Sequence, residues 1–280
     1  MAPSLSQIAE DLVRSGSSSS LSWRGMSLAS HFQPIYSVGE GRCVGFEALL
    51  RANDSVGGAI KPGKLFEQVF REGDGVLLDW ICRAMHLRRF AMVDSGDRTL
   101  YMNVHPEASI REAKTIPEFA SLVRYYGLTP ARVCVEILEG VCADEGLLRE
   151  AVAAYRSLGC TIAMDDFGVG RSNFDRIVAL RPDVVKIDRS VLISAVGDRK
   201  AGLMLPSIVE LLHEAGAEVA IEGIESANEA LLAMDSGADL LQGFHFSAPS
   251  ASPPDEPLTQ RILSELLRMR GARLEAVGAR

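Results

Sequence analysis

Acidic and amide side chains recur at or near the ends of short apolar runs along this 280-residue chain. The polar residues in such positions are Glu47, Asn103, Glu136, Glu139, Asp165, Asp166, Lys186, Asp188, Glu222, Glu225 and Gln242. Clustered carboxylates raise one another's pKa and need cations to remain ionised together. Oxygen ligands of this kind suit Mg²⁺ or Mn²⁺ better than zinc. If the runs are strands that share one edge, the pattern predicts a site with one or two metal ions that activates water.

The apolar runs that would position these residues alternate with helical patterns between about residues 30 and 250. The predicted strands are His31–Ser37, Val44–Arg51, Thr99–His105, Val133–Glu139, Thr161–Phe167, Val184–Asp188, Glu218–Gly223 and Leu240–Phe246. Such alternation with eight strands favours an α/β fold, a TIM (β/α)8 barrel, whose active sites lie at the carboxyl ends of the strands.

The connection between the first two predicted strands departs from the regular barrel. Residues 38–43 are too few for a helical crossover, so these two strands must pair antiparallel. The sequence therefore predicts a modified barrel with one antiparallel strand.

Three segments are predicted along the chain. Residues 1–27 form a short helix, Leu5–Val13, and a serine-rich linker, residues 28–250 form the barrel, and residues 251–280 form a helical tail. The tail helix, Leu258–Arg270, could pack on the barrel or on a partner protein.

Composition narrows the function classes. The formal net charge of −8 and the pI of about 5.3 disfavour binding to a nucleic-acid polymer. The chain has five cysteines, an odd number, and no C-x-x-C pair, so we expect neither a disulfide framework nor a zinc site. Unpaired cysteines are typical of proteins in a reducing cytoplasm. No secretory signal and no apolar run of membrane-spanning length is apparent, so we expect a cytoplasmic protein without a membrane partner.

Each polar residue also has a purely structural interpretation. Asn103 and Gln242 could cap strands, Asp188 could cap a helix, Lys186 could serve in an ion pair, and Glu225 could brace a loop. Their joint placement at successive strand ends is what favours a functional site.

The run Gly45-Phe-Glu-Ala-Leu-Leu-Arg51 resembles the signature of the EAL-domain family of cyclic di-GMP phosphodiesterases. The further matching segments are Gln33-Pro-Ile35, Met102-Asn-Val104, Val135-Glu-Ile-Leu-Glu139, Met164-Asp-Asp-Phe-Gly168, Val185-Lys-Ile-Asp188, Ile221-Glu-Gly-Ile-Glu225 and Leu241-Gln-Gly-Phe244. They keep the family's order over residues 28–250, so the resemblance covers the predicted barrel.

The resemblance implies hydrolysis of cyclic di-GMP to linear pGpG in bacterial signalling, with Mg²⁺ or Mn²⁺ as cofactor. It implies the following roles: metal ligands Glu47, Asn103, Glu136, Asp165, Asp166 and Glu222; a water-activating lysine, Lys186; contacts to substrate or its water from Arg51, Gln33 and Gln242; and a loop brace, Glu139. Glu47, Glu222 and Asp166 would act with Lys186 in catalysis. By analogy with the family, we also expect a homodimer and allow for a regulatory protein partner.

The loop after the fifth predicted strand departs from the family pattern. Val169 and Arg171 stand where the family usually has threonine and tyrosine, and Val169 lacks a hydroxyl for Glu139. His105 stands where the family often has serine, and we expect it to support the site rather than bind metal. These departures keep open the alternative of a catalytically silent cyclic di-GMP receptor. A further alternative is a protein-interaction scaffold, with the C-terminal helix as the docking element.

Overall fold

The computed structural model describes residues 20–94, 96–111, 116–137, 144–169, 173–252 and 256–278. Its strands are β1 Ser20–Trp23, β2 Met26–Ser37, β3 Arg42–Asn53, β4 Ala59–Ile60, β5 Thr99–Val104, β6 Val133–Ile137, β7 Thr161–Phe167, β8 Val184–Ile187, β9 Glu218–Ile221 and β10 Leu240–Leu241. Its α-helices are α1 Pro62–Arg71, α2 Gly75–Val93, α3 Pro106–Arg111, α4 Ile116–Tyr125, α5 Glu145–Ser157, α6 Asn173–Leu180, α7 Arg189–Gly197, α8 Arg199–Glu214, α9 Ala227–Asp235 and α10 Glu256–Gly278. A short 3₁₀ helix, Pro130–Arg132, precedes β6.

Strand pairing confirms the predicted modified barrel. The strands are hydrogen-bonded in the order β1-β2-β10-β9-β8-β7-β6-β5-β3-β4, and β2 also pairs with β3, so the series from β2 round to β3 is closed. β10 pairs parallel with β9 but antiparallel with β2, which makes β2 the reversed strand. The turn after β2 is tight, because Gly41 N donates to Ser37 O at 3.0 Å and Gly41 has a φ of +66°.

The chain divides into two compact units, and β2, β3 and β7 contribute residues to both. In the described part, the first unit takes residues 20–32, 46–162 and 249–252. Phe32, Phe46 and Phe90 form an aromatic cluster in its core, with ring centroids 6.1 to 6.5 Å apart. All five residues of β6 are buried, as expected for a strand covered on both faces.

The second unit takes residues 33–45, 163–248 and the C-terminal helix. β8 is buried along its whole length, and Tyr36 packs on Phe246 with ring centroids 4.9 Å apart. The helix α10 packs against α9, where Leu263 is buried and Arg270 Nε donates to Asp235 Oδ1 at 3.1 Å. The tail helix predicted from the sequence is therefore present, and it lies on a neighbouring helix.

Several boundaries differ from the sequence prediction. Ser20–Trp23, predicted as linker, is a strand in antiparallel pairing with Met26–Ala29, and β10 has two residues rather than seven. The helix α7 was not predicted, and the predicted helix at residues 5–13 lies outside the described residues. None of the helices in the described part combines the length and apolar character required to cross a bilayer.

Candidate active site

Asn103 lies between two buried glutamates in the first unit. β5 and β6 pair in parallel with Asn103 opposite Glu136. Asn103 Nδ2 donates to Glu47 Oε1 and to Glu136 Oε2, both at 3.1 Å, and carboxylate oxygens of the two glutamates lie within 4.8 Å of each other. Glu47 is 7% exposed and Glu136 0%. We call Glu47, Asn103 and Glu136 the asparagine-centred group.

The asparagine-centred group fits a divalent cation. Its amide oxygen, Asn103 Oδ1, is buried and has no hydrogen-bond partner among the residues that the structure describes. Buried carbonyl oxygens are normally paired, so this oxygen is available as a ligand. If the Asn103 amide turned so that Oδ1 replaced Nδ2 beside Glu47 and Glu136, two carboxylates and one amide oxygen would form a hard, anionic donor set of the kind that Mg²⁺, Mn²⁺ and Ca²⁺ prefer.

Lys186 occupies the corresponding position between two carboxylates in the second unit. Its Nζ lies 2.5 Å from Glu222 Oε1 and 3.3 Å from Asp165 Oδ1, and its side chain is 1% exposed. Glu222 is held at the end of β9 because its backbone N–H donates to Ile187 O at 3.1 Å. We call Asp165, Lys186 and Glu222 the lysine-centred group. The ion-pair role left open for Lys186 is therefore present, and it is compatible with handling a proton.

The two adjacent aspartates lie on an irregular stretch of β7. The register with β8 shifts between Met164 and Phe167, and Asp166 has a φ of +59°. A bulge of this kind re-aims a side chain within a strand. The chain therefore departs from regular strand geometry at Asp166, before Gly168 is reached.

Gln33 and Gln242 are joined in a short buried chain of hydrogen bonds in the second unit. Gln242 Nε2 donates to Gln33 Oε1, and Gln33 Nε2 donates to Ser247 O, both at 3.2 Å. The backbone beside Gln242 is tightly packed, because a Cβ on Gly243 would lie 2.1 to 2.6 Å from backbone atoms of Ile224. Only glycine fits there, so the position of Gln242 is fixed by the backbone as well as by Gln33.

The remaining predicted residues have mixed outcomes. Arg51 is half-buried, and burial lowers the pKa of its guanidinium while the negative charge of Glu47 opposes that shift. Asp188 caps α7 by accepting from Ser190 N at 2.8 Å, and Glu225 pairs with Arg189 at 2.8 Å, in agreement with the structural interpretations. Glu139 lies outside the described residues.

A buried ion pair next to the asparagine-centred group was not predicted from the sequence. Asp79 and Arg83, four residues apart on α2, pair with each other and are 2% and 0% exposed. Asp79 Oδ1 accepts a hydrogen bond from the backbone N–H of His105 at 3.0 Å. Opposite charges at helical spacing inside an apolar segment were the sequence signal that could have revealed this pair.

The imidazole of His105 stacks on Phe70, with ring centroids 3.8 Å apart. Burial lowers its pKa, so the ring tends to stay neutral.

Comparison with known proteins gives consistent matches. The EAL domain family model matches residues 20–249. Cyclic di-GMP phosphodiesterase RocR of Pseudomonas aeruginosa is 26% identical over 234 residues, which cover 79% of this chain and 57% of RocR. The chain spans between 29% and 57% of the length of four curated relatives that it matches.

Two solved structures share the fold. The Bacillus subtilis YkuI protein, which has an EAL domain and was solved with its substrate c-di-GMP and calcium, is 27% identical, with a TM-score of 0.73 over 90% of this chain and 64% of YkuI. Klebsiella pneumoniae BlrP1, solved as a manganese and cyclic di-GMP complex, is 25% identical, with a TM-score of 0.72 over 83% of this chain and 58% of BlrP1. Together with the family match over residues 20–249, they establish that this chain belongs to the EAL domain family.

Proposed function

We propose that this protein hydrolyses cyclic di-GMP to linear pGpG with Mg²⁺ or Mn²⁺, and so lowers the level of a bacterial second messenger. The observation that carries the proposal is Asn103, whose buried Oδ1 has no hydrogen-bond partner in the described part of the chain and belongs to a group with two buried carboxylates. Family membership supplies the substrate class, since the relatives RocR and YkuI are described with this dinucleotide.

The residues that would hold metal are Glu47, Asn103, Glu136, Asp165, Asp166 and Glu222. A divalent ion supplies Lewis acidity toward a phosphoryl oxygen and lowers the pKa of water, so that one or two ions suffice for phosphodiester hydrolysis. Both the asparagine-centred and the lysine-centred groups lie on barrel strands or at their ends, where barrel enzymes carry their chemistry.

The protein's own side chains would handle the proton and the substrate. Lys186 Nζ is a buried donor shared by Glu222 and Asp165, and it would hold and orient the attacking water or take up its proton. Arg51 would grip a substrate phosphate, because a planar guanidinium matches two phosphate oxygens. Gln33 and Gln242 would place further hydrogen-bonding groups toward substrate or ordered water.

One observation favours a second function, a receptor that binds cyclic di-GMP without turnover. Val169 lies in a turn in which its backbone N–H donates to Asp166 O at 3.2 Å. Its side chain is 61% exposed and has no hydroxyl that could form a hydrogen bond within the loop. A less ordered loop would weaken the position of Asp166 and hence hydrolysis more than binding.

Turnover decides between the two functions. The purified protein is incubated with cyclic di-GMP and Mg²⁺, Mn²⁺ or Ca²⁺, and linear product is measured by chromatography beside binding by calorimetry. We expect product with Mg²⁺ or Mn²⁺ and retained activity in Glu67→Gln, which alters an exposed carboxylate on α1. Binding with no product in any metal would support the receptor, and neither binding nor product would favour a scaffold.

We also propose a cytoplasmic homodimer that is open to a regulatory protein partner. Four described cysteines, Cys43, Cys82, Cys134 and Cys160, are buried and form no disulfide with one another, which fits a reducing compartment. Exposed apolar side chains on α7 and α8, including Ile193, Leu203 and Met204, offer a surface for a second copy. Light scattering across a concentration series measures the mass, and a monomer at every concentration would exclude the dimer.

A further inference from the structure

We propose that Asp79 is a positioning residue for the active site, which sets the position of Asn103 through the backbone of His105. The inference rests on the proposed function, in which Asn103 is a metal ligand. Asp79 matches none of the motif segments at the strand ends, and it would act from helix α2 on the end of strand β5.

The contact lies at the point where β5 ends. The backbone N–H of His105 donates to Asp79 Oδ1 at 3.0 Å, and His105 is two residues beyond Asn103. Pro106, which follows, has no N–H and begins α3, while His105 O accepts from Ser109 N at 3.0 Å. Asp79 therefore anchors the short segment that joins the strand of Asn103 to the next helix.

Asp79 is itself held in place by a buried network. It pairs with Arg83, and Arg83 Nη1 donates to the hydroxyl of Tyr155 on α5 at 2.8 Å. The guanidinium of Arg83 also lies over the ring of Trp80, 4.6 Å from its centroid. The carboxylate that receives the His105 N–H is thus fixed by contacts on two helices.

A buried ion pair of this kind calls for a reason other than stability. Burying two charges costs desolvation, and well-packed apolar residues in their place are often as stable or more so. The half-buried N–H of His105 also gains an acceptor in Asp79, and leaving it unpaired would cost stability. A carboxylate held by Arg83 makes a shorter and stronger hydrogen bond than a neutral acceptor that rotates freely. It therefore defines the position of the His105 N–H more closely.

The position of Asn103 matters because it makes two hydrogen bonds at once. Its Nδ2 must reach Glu47 and Glu136, each at 3.1 Å, so a displacement of half an ångström loses at least one of them. Partners that orient metal ligands are typically worth 10-fold to 100-fold in metal affinity or activity. We expect an effect of about that size when the acceptor at position 79 is removed.

Two double variants separate the acceptor from the charge. Asp79→Asn/Arg83→Met removes both charges and keeps a carbonyl oxygen for the His105 N–H. Asp79→Leu/Arg83→Met removes both charges and the acceptor, and Asp79→Ala/Arg83→Met replaces it should leucine prevent folding. Urea unfolding of all variants identifies those that are folded.

The readouts are the Asn103 side-chain amide resonances in metal-free protein labelled with ¹⁵N-asparagine, assigned through Asn103→Ser, and the affinity for Mn²⁺ alone. We expect the leucine variant to shift the Asn103 amide and to bind Mn²⁺ about 10-fold to 100-fold more weakly, with the asparagine variant close to wild type. Equal shifts in both double variants, or no shift in either, would overturn the inference. If wild-type protein binds neither Mn²⁺ nor Mg²⁺, the proposed function fails, while the amide resonances still decide whether Asp79 positions Asn103.

Discussion

Two polar groups, one in each compact unit, hold their carboxylates in different ways. In the asparagine-centred group a neutral amide donates to Glu47 and Glu136, whereas in the lysine-centred group an ammonium lies between Asp165 and Glu222. The amide leaves both negative charges of its group in place. The ammonium offsets one of the two charges in the other group.

The difference between a bridging amide and a bridging ammonium indicates which group depends on an added cation. Two buried carboxylates bridged by a neutral amide are stabilised by a divalent ion, because like charges at close range repel. Two carboxylates that share a buried lysine are already part-neutralised, and the lysine also provides a proton donor. We infer that metal affinity resides mainly in the asparagine-centred group, and that proton handling resides in the lysine-centred group.

Removing the lysine tests this contrast with the largest expected effect. Lys186→Met leaves Asp165 and Glu222 without their shared ammonium, and breaking a buried pair in this way costs about 3–5 kcal/mol. We expect a loss of that size in the free energy of unfolding in urea, together with loss of turnover. Lys200→Met, on the exposed start of α8, is the control. A loss below about 1 kcal/mol would mean that the ion pairs contribute little.

Removing one carboxylate from the asparagine-centred group should act in the opposite direction on stability. Glu47→Gln lessens the repulsion with Glu136, so the metal-free protein should be no less stable than wild type. Mn²⁺ affinity should fall by more than about 100-fold, because a direct ligand is worth more than the 10-fold to 100-fold of a residue that only orients one. Calorimetric titration with Mn²⁺ and urea unfolding measure the two effects. If Glu47→Gln were less stable than wild type and bound Mn²⁺ equally well, metal affinity would not reside in the asparagine-centred group.

The sequence predicted the strands and the residues at their ends because both depend on local patterns. Apolar runs and the family motifs place Asn103, Glu136 and Lys186 within their strands at positions that the structure retains. The reversal of β2 was predictable because a six-residue connection excludes a crossover helix.

What the sequence did not predict depends on backbone conformation or on contacts between distant residues. The bulge at Asp166 is a choice of φ that a non-glycine residue rarely makes, so the motif alone gave no sign of it. The contact from Asp79 to His105 joins residues 26 apart and depends on how α2 packs beside β5. The strand β1 was missed because serines carry little strand propensity, although pairing with Met26–Ala29 overrides it.

His86 is a buried base whose side chain contacts a neutral hydroxyl, unlike Lys186 with its two carboxylates. Its effect on stability can be measured as a function of pH. His86 Nδ1 lies 2.8 Å from the hydroxyl of Ser30, and burial lowers its pKa to about 4. The unfolded chain therefore binds a proton at higher pH than the folded chain, so stability falls as the pH drops from about 6.5 to about 4. The contribution is up to about 3 kcal/mol.

Urea unfolding of wild type and His86→Gln between pH 7.5 and 4 isolates this contribution. Because other titrating groups are common to both proteins, the difference in their unfolding free energies should narrow as the pH falls. Parallel pH profiles would show that the pKa of His86 is the same in the folded and unfolded chains, and would contradict its lowering by burial.

The smallest expected effect concerns the turn beside Asp166. Val169→Thr adds a hydroxyl where the side chain is 61% exposed, and one hydrogen bond to the loop is worth about 1 kcal/mol. We expect turnover of cyclic di-GMP to rise by at most about 5-fold at saturating Mn²⁺, with the unfolding free energy almost unchanged. Val178→Thr, an equally conservative change at an exposed position of α6, should leave turnover unaltered. A rise of much more than this in Val169→Thr would mean that Asp166 and its loop, rather than the asparagine-centred group, limit the reaction.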